Sequence, residues 1–167
     1  MTTQRETLCD LITGFGRQHD RPAVIAMEEG DALTWTYREL EEKVRSLAAG
    51  LVEGGFQPGS TASLLSDNRP QWLAAALGII RAGGVVMPLD TQVGDDNLVH
   101  ILADSEVGLV FVNQEQGERI RKLVPEQTPR LIRLDTEEGG DSWHSLASDS
   151  GGMEFPQPRE SDQAALF

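Results

Sequence analysis

The apolar positions between residues 60 and 90 are spaced as a strand, a helix and a second strand would space them. Residues 60–65 and 85–89 are short apolar runs bounded by turn residues, which is typical of buried parallel strands. The segment between them has apolar residues on one broad helical face, namely Trp72, Leu73, Ala76, Leu77 and Ile80. We predict a right-handed βαβ unit in which Trp72 and Leu77 fill the core between helix and sheet.

A short helix and a hairpin are predicted before this unit. Apolar residues at helical spacing indicate an amphipathic helix that ends near Gly16: Leu8, Leu11, Ile12 and Phe15. Residues 23–27 and 33–36 are short apolar or β-branched runs. The acidic, glycine-containing stretch 28–32 joins them, so we predict a β-hairpin.

A long second helix is predicted to follow the hairpin directly. Thr36 and Glu39 have the spacing of a capping box, in which the Thr hydroxyl accepts a hydrogen bond from the Glu amide while the Glu carboxylate reaches back. Five apolar residues would line the inward face of this helix: Leu40, Val44, Leu47, Ala48 and Leu51. Gly54 and Gly55 would supply a left-handed C-terminal cap.

Strands and helices continue to alternate after Asp90. We predict a helix over residues 96–104, a strand over 107–112, a helix over 114–123 and a strand over 130–134. This alternation indicates an α/β fold with a largely parallel sheet and helices on both faces, preceded by a helix and a β-hairpin.

The chain divides into three regions by composition. Residues 1–134 form the α/β unit, and residues 135–161 form an acidic loop or linker rich in Gly, Ser and Pro. Four apolar residues could anchor that loop: Trp143, Leu146, Met153 and Phe155. Residues 162–167 turn apolar, and we expect them to be the start of a truncated strand.

The charge balance excludes one class of partner. The 167 residues include 27 acids and 14 bases, for a formal charge of -13. Nucleic-acid binding depends on clustered Lys and Arg, so we expect no nucleic-acid partner.

The single cysteine, Cys9, precludes an internal disulfide and fits a reducing, cytoplasmic location. No apolar run approaches the roughly 20 residues that span a bilayer, so we expect no transmembrane segment.

Asp67 and Asp90 could be mistaken for a chemical site, because each follows a predicted strand and open α/β sheets bind ligands at the carboxyl ends of parallel strands. A phosphoacceptor or Mg²⁺ site is one interpretation. Turn and helix-cap roles are favoured, since Asn113 and not a basic residue follows the strand that ends at residue 112. Asp90 and Pro88 would then close a strand and shape the next turn.

The other reactive residue types form no recognisable site. Three histidines lie far apart without Cys or carboxylate at ligand spacing, and we expect each at the surface: His19, His100 and His144. Cys9 is expected to be a small buried apolar residue. Gly83 and Gly84 lack the spacing of a dinucleotide fingerprint and are predicted to end a helix. We therefore assign no catalytic, cofactor-binding or metal-binding residue.

Four stretches in order resemble the N-terminal part of the adenylate-forming (AMP-binding) superfamily, which contains acyl-CoA synthetases, nonribosomal adenylation domains and luciferases. They are LTWTYREL at 33–40, NRPQW at 68–72, RAGGVVMPLD at 81–90 and ILADS at 101–105. Arg81 stands where the family usually has Lys. The NRPQW stretch is most similar to long-chain fatty acyl-CoA synthetases.

The resemblance implies that this chain is an incomplete N-terminal subdomain of a larger enzyme. That parent would be an ATP-dependent acyl-CoA synthetase that adenylates a fatty acid and then forms a thioester, with ATP, Mg²⁺ and coenzyme A. A segment like residues 162–167 runs, in the family, into the loop that holds the ATP phosphates. The 167 residues alone are therefore expected to bind no cofactor and to be catalytically inactive.

A natural stand-alone interaction module with this fold and no chemistry is the alternative hypothesis. Its apolar end at residues 162–167 would pair as an edge strand or bury in a partner. The same exposed edge could support a homo-oligomer.

Overall fold

A computed structural model describes residues 7–28, 31–159 and 161–167. The helices in these residues are α1 (Leu8–Thr13), α2 (Tyr37–Glu53), α3 (Pro70–Arg81), α4 (Asp95–Asp104), α5 (Gln114–Leu123) and α6 (Trp143–Leu146). The strands are β1 (Pro22–Glu28), β2 (Asp31–Thr36), β3 (Thr61–Leu65), β4 (Val85–Pro88), β5 (Leu109–Val112) and β6 (Arg130–Arg133). A 3₁₀ turn, Phe15–Gln18, follows α1.

The four later strands form one parallel sheet in the order β4-β3-β5-β6. Strands β1 and β2 form a separate antiparallel hairpin, with Ile25 paired to Thr34. The βαβ unit, the later strands and the hairpin predicted from the sequence are therefore confirmed, although the hairpin's residues 29–30 lie outside the described part. Among the helices of that part, none combines the length and apolar character that a bilayer crossing requires.

Helices cover both faces of the sheet because adjacent strand residues point to opposite sides. Leu64 of β3 belongs to a core cluster with apolar residues of α2 and α3. Its neighbour Leu65 belongs to a second cluster, with Leu98 of α4 and Ile120 of α5. The predicted α/β architecture with helices on both faces is confirmed.

Both halves of the predicted capping box are present at the start of α2. The Glu39 amide donates to Thr36 Oγ1 at 3.3 Å, and the Thr36 amide donates to Glu39 Oε2 at 2.7 Å. The hydrogen bond from the Thr36 amide lowers the pKa of the Glu39 carboxyl. At the other end Gly55 has a φ of 85°, as the predicted left-handed cap requires.

The predicted inward face of α1 is confirmed for Ile12 and Phe15 but wrong for Leu8 and Leu11. Leu8 and Leu11 are 45% and 55% exposed, whereas Cys9 and Ile12 are buried. The helix also ends at Thr13, three residues before the predicted end at Gly16. Cys9 lies outside the apolar pattern of Leu8, Leu11, Ile12 and Phe15, so that pattern indicates a different face of this short helix.

The predicted inward face of α3 is also displaced. Its buried positions include Ala74, Ala75 and Ile79, whereas Trp72 and Leu77 are only partly buried and pack at the margin of the core. Small residues face α2 because the two helices approach closely, and a Cβ on Gly78 would lie 3.1 Å from the Cβ of Leu47. The largest apolar residues of α3 therefore do not mark its most buried face.

Residues 142–166 run from one edge of the sheet to the other. Ser142 forms a bridge with Arg133 of β6, and Ala165 forms a parallel bridge with Val86 of β4. Between them the chain crosses α2, where the Ser148 amide donates to the Ser46 carbonyl at 3.0 Å. Three of the predicted anchors, Trp143, Leu146 and Phe155, are buried, and Met153 is partly buried. The division at residues 134 and 161 stays a prediction.

Candidate functional site at the carboxyl edge of the sheet

Four polar residues follow the four parallel strands. Asp67 comes after β3, Asp90 after β4, Asn113 after β5 and Asp135 after β6. Because all four strands run in the same direction, their carboxyl ends lie at one edge of the sheet, where open α/β folds place ligands. A groove of about 480 Å³ lies over this edge, and three of the four residues line it: Asp67, Asn113 and Asp135.

Asp67 joins the ends of two neighbouring strands. Its Oδ1 accepts a hydrogen bond from Asn113 Nδ2 at 2.8 Å, and its Oδ2 pairs with Arg69 Nη2 at 2.7 Å. Burial acts to raise the pKa of the Asp67 carboxyl, but the hydrogen bonds from Arg69 and Asn113 outweigh burial and lower it. The sequence placed Asp67 at this edge, but Asn113 was considered only as a residue that is not basic.

Asp90 has the turn role that the sequence favours. Its Oδ1 accepts from the Gln92 amide at 2.8 Å, and its carbonyl accepts from the Val93 amide at 3.0 Å. Pro88 is the last residue of β4, so it closes the strand as predicted. This carboxylate therefore stabilises the connection to α4.

Asp135 lies outside α5 but stabilises its first turn by accepting a hydrogen bond from the backbone. Its Oδ2 accepts from the Gln114 amide at 2.8 Å, and its Oδ1 accepts from Arg133 Nε at 2.6 Å. Burial acts to raise the pKa of the Asp135 carboxyl, while these two hydrogen bonds lower it and prevail. No local sequence signal indicates this contact, because it depends on β5 and β6 being neighbours in register.

Arg119 of α5 donates hydrogen bonds to the loop that follows β4 and stabilises it. Its guanidinium donates to the Thr91 carbonyl at 3.2 Å, to the Val93 carbonyl, and to Asp95 Oδ1 at 2.8 Å. A further hydrogen bond of 3.1 Å reaches Gln116 Oε1. One side chain therefore fixes the geometry between the ends of β4 and β5, a role that no local sequence signal indicates.

The charged side chains at this edge bond to one another and hold the strand ends in position. The two arginines nearest the strand ends, Arg69 and Arg133, are both paired with carboxylates. No group of three His, Cys, Asp or Glu residues that could hold a metal ion occurs in the described part of the chain. All three histidines are exposed, as predicted.

Cys9 lies away from this edge and is unsuited to act as a nucleophile. The thiol is buried and donates to the Ile80 carbonyl at 3.5 Å. Burial raises the pKa of the Cys9 thiol, although the neighbouring Arg81 acts in the opposite direction. The predicted role as a small buried residue is confirmed.

Comparison with known proteins identifies the family. A family model described as AMP-binding enzyme matches residues 14–167. The chain belongs to the AMP-binding, adenylate-forming enzyme family. Bacitracin synthase 3 of Bacillus licheniformis is 34% identical over 163 residues, which are 97% of this chain and 2% of that protein. Nonribosomal peptide synthetase inpB of Emericella nidulans is 32% identical over 130 residues, 78% of this chain and 6% of that protein.

Solved structures of family members share the fold. The acyl-CoA synthetase of Brucella canis superposes with a TM-score of 0.80 at 20% identity, covering 96% of this chain and 30% of that chain. A fatty acyl-adenylate ligase of Legionella pneumophila, solved with acyl adenylate and pyrophosphate, gives a TM-score of 0.78 at 19% identity, covering 98% and 28% respectively. This chain therefore corresponds to less than a third of each of these two proteins.

Proposed function

We propose that this chain is the N-terminal part of an enzyme that activates a carboxylate by adenylation. The match of the AMP-binding family over residues 14–167 is the observation that carries the proposal. The Legionella protein, which was solved with acyl adenylate and pyrophosphate, supports the same reaction. Because the chain spans a small share of its relatives, the activity belongs to the longer protein.

In the proposed reaction, a carboxylate oxygen attacks the α-phosphorus of ATP, and pyrophosphate leaves with the electron pair of the broken P–O bond. A thiol then attacks the acyl carbon, forming a thioester and releasing AMP. Mg²⁺ would bind the polyphosphate and reduce its charge. The residues of this chain would act as a scaffold, since its edge carboxylates and arginines bond to one another.

ATP–pyrophosphate exchange tests the adenylation step. The protein encoded by the complete reading frame would be incubated with ATP, Mg²⁺, labelled pyrophosphate and one carboxylate at a time. We expect exchange that requires both Mg²⁺ and a carboxylate. A folded protein that gives no exchange with fatty, aromatic or amino acids would overturn the proposal.

For the substrate we propose a medium or long fatty acid with coenzyme A as the acceptor. The resemblance of NRPQW at 68–72 to fatty acyl-CoA synthetases supports this choice, as does the acyl-CoA synthetase among the similar structures. An amino acid carried as a thioester on a carrier protein is the second candidate. It is favoured by the nonribosomal peptide synthetases among the sequence relatives. The carboxylate that supports exchange distinguishes the two.

We further propose that the 167 residues by themselves are inactive and that they lie in the cytoplasm. We also propose that they form a homo-oligomer through the apolar end at residues 162–167. Leu166 and Phe167 are exposed in the structure. Exchange by the purified 167-residue chain would contradict the first part. Light scattering would show whether the chain self-associates, and association without exchange from the complete reading frame would favour the interaction module.

A further inference from the structure

The groove at the carboxyl edge lies where the connections of the sheet diverge. The chain leaves β3 through α3 to reach β4 on one side, and it leaves β5 through α5 to reach β6 on the other side. Helices α3 and α5 belong to the two core clusters on opposite faces of the sheet. A crevice therefore opens between the carboxyl ends of β3 and β5, and open α/β sheets bind ligands in such crevices. The groove of about 480 Å³ occupies it, within the range of about 300–1,000 Å³ for small-molecule sites.

Gln116 presents an unused hydrogen-bond donor to this groove. The residue lines the groove and is only 5% exposed. Its Oε1 accepts from Arg119 Nη1 at 3.1 Å, and because a guanidinium can only donate, the atom that faces Arg119 must be the oxygen. The remaining atom, Nε2, donates to no residue among 7–28, 31–159 and 161–167, and it is not fully enclosed. Since a buried polar side chain is normally paired, this donor indicates a ligand that offers an acceptor oxygen.

The charges around the groove favour a ligand without net charge. The charged residues that line it are Asp67, Arg69, Glu115 and Asp135. Arg69 pairs with Asp67, and Arg133, which lies outside the lining, pairs with Asp135, so neither guanidinium is free to receive an anion. The Asp135 carboxylate also accepts from the Gln114 amide at the start of α5, where an anion would otherwise bind. A cation, in turn, offers no acceptor to Gln116 Nε2.

The polarity of the wall indicates a ligand rich in hydroxyl groups. The nine described residues that line the groove are all polar or charged, so a nucleobase or an acyl chain would find no apolar surface there. Thr91 and Gln92 use only backbone groups in their hydrogen bonds to described residues, which leaves both side chains available. The Asp67 side chain is 54% exposed, and its carboxylate has lone pairs beyond those that Asn113 and Arg69 use. A hydroxyl group both donates and accepts, so a polyhydroxylated molecule satisfies this mixture of donors and acceptors.

We propose that this groove binds a neutral sugar. One sugar hydroxyl accepts from Gln116 Nε2 and donates to the Asp67 carboxylate, and a second exchanges a hydrogen bond with the Thr91 hydroxyl. Because Arg119 bonds both to Gln116 and to the loop after β4, the Gln116 donor is positioned before the sugar binds. The proposal does not depend on the catalytic function proposed above.

Nuclear magnetic resonance of the ¹⁵N-labelled 167-residue chain tests the binding directly. The probe is D-glucose at millimolar concentration, and glucose 6-phosphate is its anionic counterpart. The reporter is the side-chain NH₂ group of Gln116, which Gln116→Glu identifies by removing its resonances. We expect glucose to shift these resonances saturably while the indole N–H of the buried Trp143 stays in place, and glucose 6-phosphate to shift them less. The absence of a saturable shift with glucose and with maltose, or a stronger response to glucose 6-phosphate, would overturn the proposal.

Three substitutions separate the sugar contacts from the fold, with the backbone amides of residues 113–116 as reporters. In Gln116→Glu the carboxylate still accepts from Arg119 but cannot donate, so the fold should persist while glucose affinity falls at least about tenfold. Thr91→Val removes one hydroxyl at nearly constant shape and should weaken glucose binding about fivefold, the effect of one neutral hydrogen bond. Thr34→Val makes the same change at an exposed position of β2 outside the groove and should change nothing. Wild-type affinity in both groove variants would contradict the proposal.

Discussion

A Cβ atom on Gly50 would lie 1.6 Å from the carbonyl oxygen of Leu146. The backbone of α2 is therefore in direct contact with the end of α6, with no side chain between them. This contact fixes residues 142–148 against α2, on the face of the sheet that α2 and α3 cover. Nearby, the Ser148 hydroxyl donates to Glu53 Oε2 at 2.6 Å.

Gly50→Ala should consequently be among the most damaging single-methyl additions in this chain. The added Cβ meets backbone atoms that cannot rotate away, so α6 must separate from α2. We expect a loss of about 3 kcal/mol in the free energy of unfolding, at the upper end for overpacking. Urea denaturation followed by tryptophan emission would measure it. Gly108→Ala is the matched control, because a Cβ there meets nothing within 4 Å, and it should stay within about 0.5 kcal/mol of wild type.

The Lys43 ammonium lies over two tryptophan rings, those of Trp35 and Trp143, and it should stabilise the packing of α6. Its Nζ is 4.9 Å from the ring centre of Trp35 and 5.5 Å from that of Trp143. We expect Lys43→Ala to lower the free energy of unfolding by about 1 kcal/mol, the size of a partly exposed cation–π contact. Lys43→Arg should retain most of that energy. Equal losses for both variants in thermal denaturation would show that charge is not the cause.

Asn113 has two separable roles, and two substitutions should distinguish them. Its Oδ1 accepts from the Gln116 amide at 2.9 Å and caps α5, while its Nδ2 donates to Asp67. Asn113→Ala removes both contacts and should cost about 1 kcal/mol or more. Asn113→Asp keeps the cap but places a second carboxylate against Asp67. Its destabilisation should be present at neutral pH and diminish when the carboxylates are protonated, which urea titrations at two pH values would show.

Asp135 should contribute to the acid sensitivity of the fold. The pKa of its carboxyl is lower in the folded chain than in the unfolded chain, where Asp titrates at about pH 4. Its contribution to stability is therefore fully present above the unfolded pKa and is lost as the pH falls through the folded pKa. We expect Asp135→Asn to be less stable than wild type at neutral pH, with the difference shrinking below about pH 4. Glu126→Gln controls for the loss of one carboxylate, and a difference independent of pH would contradict the assignment.

The elements with local sequence signals were predicted well. The Thr36–Glu39 capping box placed the start of α2, and the polar sequence between two strands gave α5 its observed bounds of Gln114–Leu123. The face of α3 was not predicted, because its burial depends on the approach of α2 at Gly78 and not on its own largest residues. A hydrophobicity pattern reports side-chain size and polarity, but it does not report which neighbour comes near.

The contacts at the carboxyl edge of the sheet were also only partly predictable from the sequence. The sequence placed Asp67 and Asp90 after strands, and both lie at that edge. The hydrogen bond between Asp135 and the Gln114 amide joins residues 21 positions apart in the chain. The hydrogen bonds of Arg119 to residues 91 and 93 likewise cross from one βα unit to another. Such contacts follow from strand order, which the spacing of apolar residues leaves open.

The bridge between Ala165 and Val86 also blocks one route by which copies of the chain could pair, the outer edge of β4 at Val86. The Val86 amide donates to the Ala164 carbonyl, and the Leu166 amide donates to the Val86 carbonyl, both at 2.9 Å. The groups that an outer strand offers as a template for intermolecular pairing are thus occupied at Val86 by a segment of the same chain. Loss of residues 162–167 would expose the backbone amide and carbonyl of Val86, and the outer edge of β4 could then pair with another chain.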